Sequence, residues 1–269
     1  MTTTPSASPL ITMRRRVTVL LFTFAAGSVD AIAYLRGHVF TANMTGNSVL
    51  LGLAIGEGRG PAAATSLVAL VAFIFGVLLG AFLAGEGGDK VKTFTAVRRE
   101  VFVEAAILTF FAATCLARPS TSVGSSLLLL ISTSGLAMGM QSAAVKRLSL
   151  PGIATTYITG TITSLFSGLV HHWRTHKAHP APSPGLKAAG IPAHAGPGSP
   201  SMRHSLALQA EVFLSYTVAA LVSAALHTRW PSVAALLPVL AITGIGIYML
   251  FAKPVQRIAA VPPRQDVSA

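Results

Sequence analysis

The chain has 269 residues, 52% of them apolar and 10% charged, with a formal charge of +12. Soluble domains carry roughly a quarter charged residues, and a soluble chain of this length cannot hide six apolar blocks, each near the ~20 residues that cross a hydrocarbon core. The basic excess sits between those blocks, at Arg14–Arg16, Lys90–Arg99, Lys146–Arg147, Arg174–Lys177 and Lys253–Arg257, as cytoplasmic flanks of membrane spans do, so no nucleic-acid partner is expected.

The tail 1–12 is expected to be disordered. The first apolar block, 17–35, follows Arg14–Arg16 and carries Asp30. Its length and its acidic residue argue for an uncleaved first span rather than a signal peptide, despite an A-x-A site at Ala31–Ala33. Next comes a polar, glycine-broken stretch, Phe40-Thr41-Ala42-Asn43-Met44-Thr45-Gly46-Asn47. Blocks 63–85 and 101–117 follow, the former with a small-xxx-small face from Gly76 to Ala81 that suits close helix packing. Block 125–145 leads to a second polar break in which Thr155, Thr159 and Gly160 repeat the Thr-x-x-x-Thr-Gly of Thr41, Thr45 and Gly46, 114 residues later. Residues 173–204, rich in Pro, Gly, Ala and Ser, read as a mobile cytoplasmic loop. Blocks 206–226 and 232–252 complete the membrane domain at 13–252, and 258–269 reads as a disordered tail. Trp173 and Trp230 stand at block edges, as interfacial anchors do.

The basic residues decide how many times the chain crosses. If the segments 39–57 and 152–171 both span, giving eight spans, the 20 Lys and Arg divide 12 inside and 8 outside. If both are re-entrant, giving six spans, only Arg36, Arg59, Arg118 and Arg229 lie outside and the division is 16 to 4. The positive-inside rule therefore favours an all-α protein of six transmembrane helices plus two re-entrant half-helices, with both termini cytoplasmic. Three crossings then separate the two motif copies. The halves 17–117 and 125–252 form an inverted-topology repeat, with one half-helix entering from each side. Asn47–Glu57 and Thr161–His171 would each make about 16 Å of helix, half a bilayer core.

The run Gly27-Ser28-Val29-Asp30 followed by Phe40-Thr41-Ala42-Asn43-Met44-Thr45-Gly46-Asn47 resembles the hallmark of the YoaK-like family. The resemblance implies a multi-span protein of the bacterial inner membrane. It brings no substrate with it, because the common domain of that family has no established function.

Asp30, about 20 Å into the first span, is the deepest charge in the reading, and ionisable groups at such depth are costly and functional by default. Its structural alternative is a carboxyl group protonated or bonded to Asn43, Asn47 or Thr45. Near the corresponding place in the second half stands Gln141, polar but uncharged. Thr41, Asn43, Thr45, Gly46, Asn47, Gln141, Thr155, Thr159 and Gly160, together with Asp30, are the expected lining of a midplane substrate site. Helix capping is the simpler role for some of them. Glu104 and Glu211 are expected about one turn inside the cytoplasmic boundary, paired with Arg98, Arg99 or Arg203, with a proton-relay role as the alternative.

No H-E-x-x-H, G-x-S-x-G or Walker-type run occurs, so no enzyme activity, cofactor or metal is expected. The functional expectation is a small secondary transporter or channel for an unidentified polar solute, proton-coupled through Asp30. A homo-oligomer in the lipid bilayer is compatible with it. Two alternatives remain open: an intramembrane enzyme using Ser167 and His171, and a non-transporting scaffold acting through 173–204. His171, His172, His176 and His179 read as a membrane-proximal basic flank rather than metal ligands.

Overall fold

The computed structural model describes the backbone of residues 9–84, 90–117, 124–147, 162–163, 165–167, 169–170 and 200–251. Side chains are described within these from 16, 94 and 206 onward in the first, second and last long stretches. Eight helices order these residues: α1 (Pro9–Gly37), α2 (Met44–Gly56), α3 (Gly60–Ala84), α4 (Lys90–Ala117), α5 (Ser125–Arg147), α6 (Pro200–Arg229), α7 (Pro231–Ala234) and α8 (Leu236–Phe251). The described parts of 162–170 are helical as well, and no strand occurs among the described residues.

Among the described residues, six spans are long and apolar enough to cross a membrane: Arg16–Gly37, Gly60–Ala84, Phe94–Ala117, Ser125–Arg147, Leu206–Arg229 and Pro231–Phe251. The last is a broken helix. Pro238 has no amide hydrogen and crowds the carbonyl four residues back, at Ala234, which is where α7 stops and a short turn leads into α8. In contrast, α2 has 13 residues, about 20 Å, too short for a ~30 Å core. Two expected boundaries move: α1 starts at Pro9, inside the expected tail, and α6 starts at Pro200, inside the expected loop 173–204.

α1 and α5 form the centre, each with two thirds of its most apolar window buried, whereas α3 and α6 are mostly exposed. α3 packs on α5 and α6 packs on α1; α4 lies against α5 and α8, and α8 against α1. Exchange the halves, so that α1 swaps with α5, α3 with α6 and α4 with α7–α8, and this pattern maps onto itself.

Close approach at these crossings depends on glycine. Between α3 and α5, a Cβ at Gly76 would lie 2.1 Å from the Leu136 carbonyl oxygen, and one at Gly139 2.1 Å from that of Phe73. At the related crossing, a Cβ at Gly27 of α1 would lie 2.4 Å from the Tyr216 oxygen of α6. Lipid tails are as apolar as leucine, so burial alone does not hold helices together in a membrane, and backbone contact of this kind adds the packing that does. The small-residue face of α3 thus serves as expected, with Gly76 against Leu136 and Gly139 and Gly80 against Met140 and Ala143. The outer side of α3 exposes Leu67, Val71, Ile74, Phe75, Leu78 and Phe82, a surface suited to lipid.

Candidate functional site

α1 ends at Gly37, and His38 adopts φ 53°, a left-handed conformation that turns the chain out of the helix. Residues 39–43 then run without helix up to the start of α2 at Met44. An irregular backbone leaves amides and carbonyls without helical partners, and three side chains supply them here. Asp30 Oδ1 accepts hydrogen bonds from the backbone N–H groups of Thr41 and Ala42, both at 2.7 Å. Asn47 pairs with the backbone of Phe40 in both directions: its Oδ1 accepts the Phe40 N–H at 2.9 Å, and its Nδ2 donates to the Phe40 carbonyl at 2.5 Å. Asn43 caps α2, accepting the Gly46 N–H at 3.1 Å. The remaining Asp30 oxygen, Oδ2, accepts the Tyr216 hydroxyl from α6 at 2.5 Å.

The partners of Asp30 are thus a tyrosine and backbone amides of the turn, that of Asn43 among them, rather than the side chains of Asn43, Asn47 or Thr45. A carboxylate at that depth is held because each oxygen has a donor. Gly46 is fixed by packing: a Cβ there would come within 2.9 Å of the Phe40 ring, which stacks on Tyr34 with centroids 5.2 Å apart. Thr41 is buried, and its hydroxyl oxygen has no hydrogen-bond partner among the described residues. Thr45 is exposed and belongs to no bond of the cluster described here.

Gln141 lies fully buried on α5, and its Nε2 donates to the Phe22 carbonyl of α1 at 2.9 Å, while its Oε1 has no partner among the described residues. Gln141 therefore joins the two central helices. Thr155, Thr159 and Gly160 lie outside the described residues, as do Thr156, Tyr157 and Thr161. Ser167 is exposed beside exposed Phe166, Leu169 and Val170, and His171, His172, His176 and His179 are outside the described residues. Among the described residues, no three His, Cys, Asp or Glu side chains gather as a metal site.

The acidic residues of α4 and α6 differ from expectation. Glu211 pairs with Arg16 of α1 through two hydrogen bonds, one of them 2.5 Å long from the Arg16 Nε. Arg147, at the end of α5, binds Glu100 and also donates to the Gly80 carbonyl at 3.0 Å. Glu104 pairs with neither Arg98 nor Arg99: both its oxygens are buried without a partner among the described residues. The candidate span on α4 begins at Phe94, about 15 Å along the helix before Glu104. Tyr216 and Glu100 were missed in the sequence. A lone tyrosine at mid-span and a Glu–Glu pair spaced i,i+4 were the available signals.

The chain belongs to the family described as "Protein of unknown function (DUF1275)", which it matches over residues 18–249. It is 40% identical over 156 residues to the UPF0700 transmembrane protein YoaK of Bacillus subtilis strain 168, an alignment covering 58% of this chain and 67% of that protein. No solved structure matches. The fold, the spans and the family define an integral, multi-pass membrane protein of the YoaK type, in contact with the lipid bilayer.

Proposed function

We propose that this protein is a small secondary transporter or channel for a polar solute, in a bacterial inner membrane with both termini cytoplasmic. The carrying observation is the break at 38–43: non-helical, polar backbone between a full span and a half-length helix, fastened by Asp30, Asn43 and Asn47. Such backbone is tolerated at membrane depth only inside protein or along a water-filled cavity, and paired half-helices at inverted repeats are where secondary transporters hold their substrates. In this reading α2 and the helical part of 162–170 are re-entrant from opposite sides, and Thr41, Thr45, Gly46, Thr155, Thr159, Gly160 and Gln141 line the site. The N-terminus of α2 favours a neutral or anionic polar group. Asp30 holds the break in place. Its two oxygens already accept the amides of the turn and the Tyr216 hydroxyl, so it serves poorly as the coupling carboxylate that its position suggested.

The test is uptake by the purified protein in liposomes under an imposed pH gradient, with a panel of small neutral and anionic polar organic solutes. At least one solute should accumulate above protein-free liposomes, and Gly46→Leu, which drives a side chain into Phe40, should abolish that uptake. If no solute accumulates under either gradient direction, transport is the wrong reading.

A further inference from the structure

Glu100 and Glu104 lie one helical turn apart on the buried face of α4, each 1% exposed. Arg147 reaches Glu100 from α5 and is fixed by the Gly80 carbonyl of α3, which leaves Glu100 Oε2 and both oxygens of Glu104 without a partner among the described residues. Among the described residues, the other packed elements offer Glu104 no counter-charge. On α8 the titratable group is the partly exposed Tyr248. On α1, Arg16 is bound to Glu211 and Asp30 to Tyr216. α3 has no charged residue, and Arg98 and Arg99 of α4 are not bonded to Glu104. Two carboxylates facing one guanidinium leave one negative charge unbalanced, and an uncompensated buried charge costs several kcal/mol. Like charges one turn apart repel further. Three free carboxylate oxygens fall short of the six to eight that a calcium ion takes, whereas a single proton restores neutrality with no other ligand.

We propose that Glu104, on the buried face of α4, is an exchangeable proton-binding site. Its carboxylate takes H+ from water, becoming a neutral acid beside the Glu100–Arg147 pair, and returns H+ to water when the surrounding helices admit it. The site deepens the transport reading by naming the coupling ion, and its coupling role rests on that reading. The proton itself is observed without any solute.

The experiment is infrared absorption of the full-length protein in phosphatidylcholine liposomes, in light and heavy water. Wild type should show the carbonyl stretch of a protonated carboxylic acid, shifting on transfer to heavy water, and Glu104→Gln should lose that band. The thermal midpoint of Glu104→Gln should match wild type, since a neutral amide mimics a neutral acid. A band unchanged by Glu104→Gln, or one that heavy water does not shift, overturns the proposal. Should Glu104→Gln not fold, Glu104→Asp keeps the carboxyl and should move the band, and an unmoved band again overturns the proposal. Failure to find a solute would sink the transport reading and leave this band as it is.

Discussion

Asp30 Oδ2 accepts the Tyr216 hydroxyl at 2.5 Å, joining the first span to the fifth across 186 positions of chain, while Oδ1 of the same carboxylate holds the turn that follows the first span. One side chain thus links a local backbone break to the crossing of α1 with α6, beside Gly27, where those backbones meet. Removing Asp30 should loosen both features together. Asp30→Ala strands the N–H groups of Thr41 and Ala42 and the Tyr216 hydroxyl, at roughly 1–3 kcal/mol for each donor left buried and unpaired. Tyr216→Phe should lose only about 1–2 kcal/mol, because it removes a single donor. Denaturation of purified protein in detergent would show it, and the double variant should cost less than the sum of the singles.

Asn47 and Asn43 perform separable tasks and should respond differently to substitution. Asn47→Asp keeps an acceptor for the Phe40 N–H but loses the donor to the Phe40 carbonyl, so it should destabilise by more than the ~1 kcal/mol expected when Asn43→Ala removes a helix cap. Equal losses in the two variants would mean that the Asn47 pairing does not secure the turn. Thermal midpoints in detergent supply the comparison.

Glycine at the α3–α5 crossing should tolerate no side chain. Gly139→Ala sets a methyl against the Phe73 carbonyl and should cost about 1–3 kcal/mol, the usual toll of overpacking. Gly52→Ala, on α2 with nothing within 4 Å of the added carbon, should be neutral or slightly stabilising. Both are read from thermal midpoints of the detergent-solubilised protein.

Topology can be mapped with thiol reagents in a Cys115→Ala background. Six spans with a cytoplasmic N-terminus place Arg59→Cys outside and Arg99→Cys inside. Labelling of position 59 from the cytoplasmic side, with position 99 labelled from outside, would instead require α2 to cross. The measurement is labelling by a membrane-impermeant maleimide in intact cells against inverted vesicles.

Arg16 and Glu211 form the most water-accessible of the long-range ion pairs described, each side chain about a third exposed. Glu211→Gln should therefore cost under about 1 kcal/mol, whereas Arg147→Gln, which strands a carboxylate 1% exposed, should cost about 3–5 kcal/mol. Denaturation midpoints in detergent again decide, and near-equal losses would contradict the difference in burial.

Much of the fold was legible because the information is local. A bilayer of fixed thickness demands a run of about 20 apolar residues per crossing, and such runs stand in the chain at 17–35, 63–85, 101–117, 125–145, 206–226 and 232–252. The polar break at 38–43, the shortness of α2 and the small-residue face of α3 were equally local, and the basic flanks were enough to favour six crossings over eight. The apolar block at 101–117 left out the first turns of α4, because Lys90, Lys92, Arg98 and Arg99 interrupt the apolar pattern while the helix continues through them.

The identity of the bonds was beyond the sequence. Whether Asp30 meets Asn43 or Tyr216, whether Glu211 meets Arg203 or Arg16, and whether Glu104 meets anything depend on the rotation and register of helices up to 195 positions apart. A shift of one residue turns a helical side chain by about 100°, since 3.6 residues make a turn, so composition and spacing leave these pairings undetermined. Sequence alone determined where the six long apolar spans stand and where the polar break lies. Only tertiary packing decided that Asp30 is a fastened carboxylate and Glu104 an unmatched one, because the depth and partners of a charge are set by the helices around it.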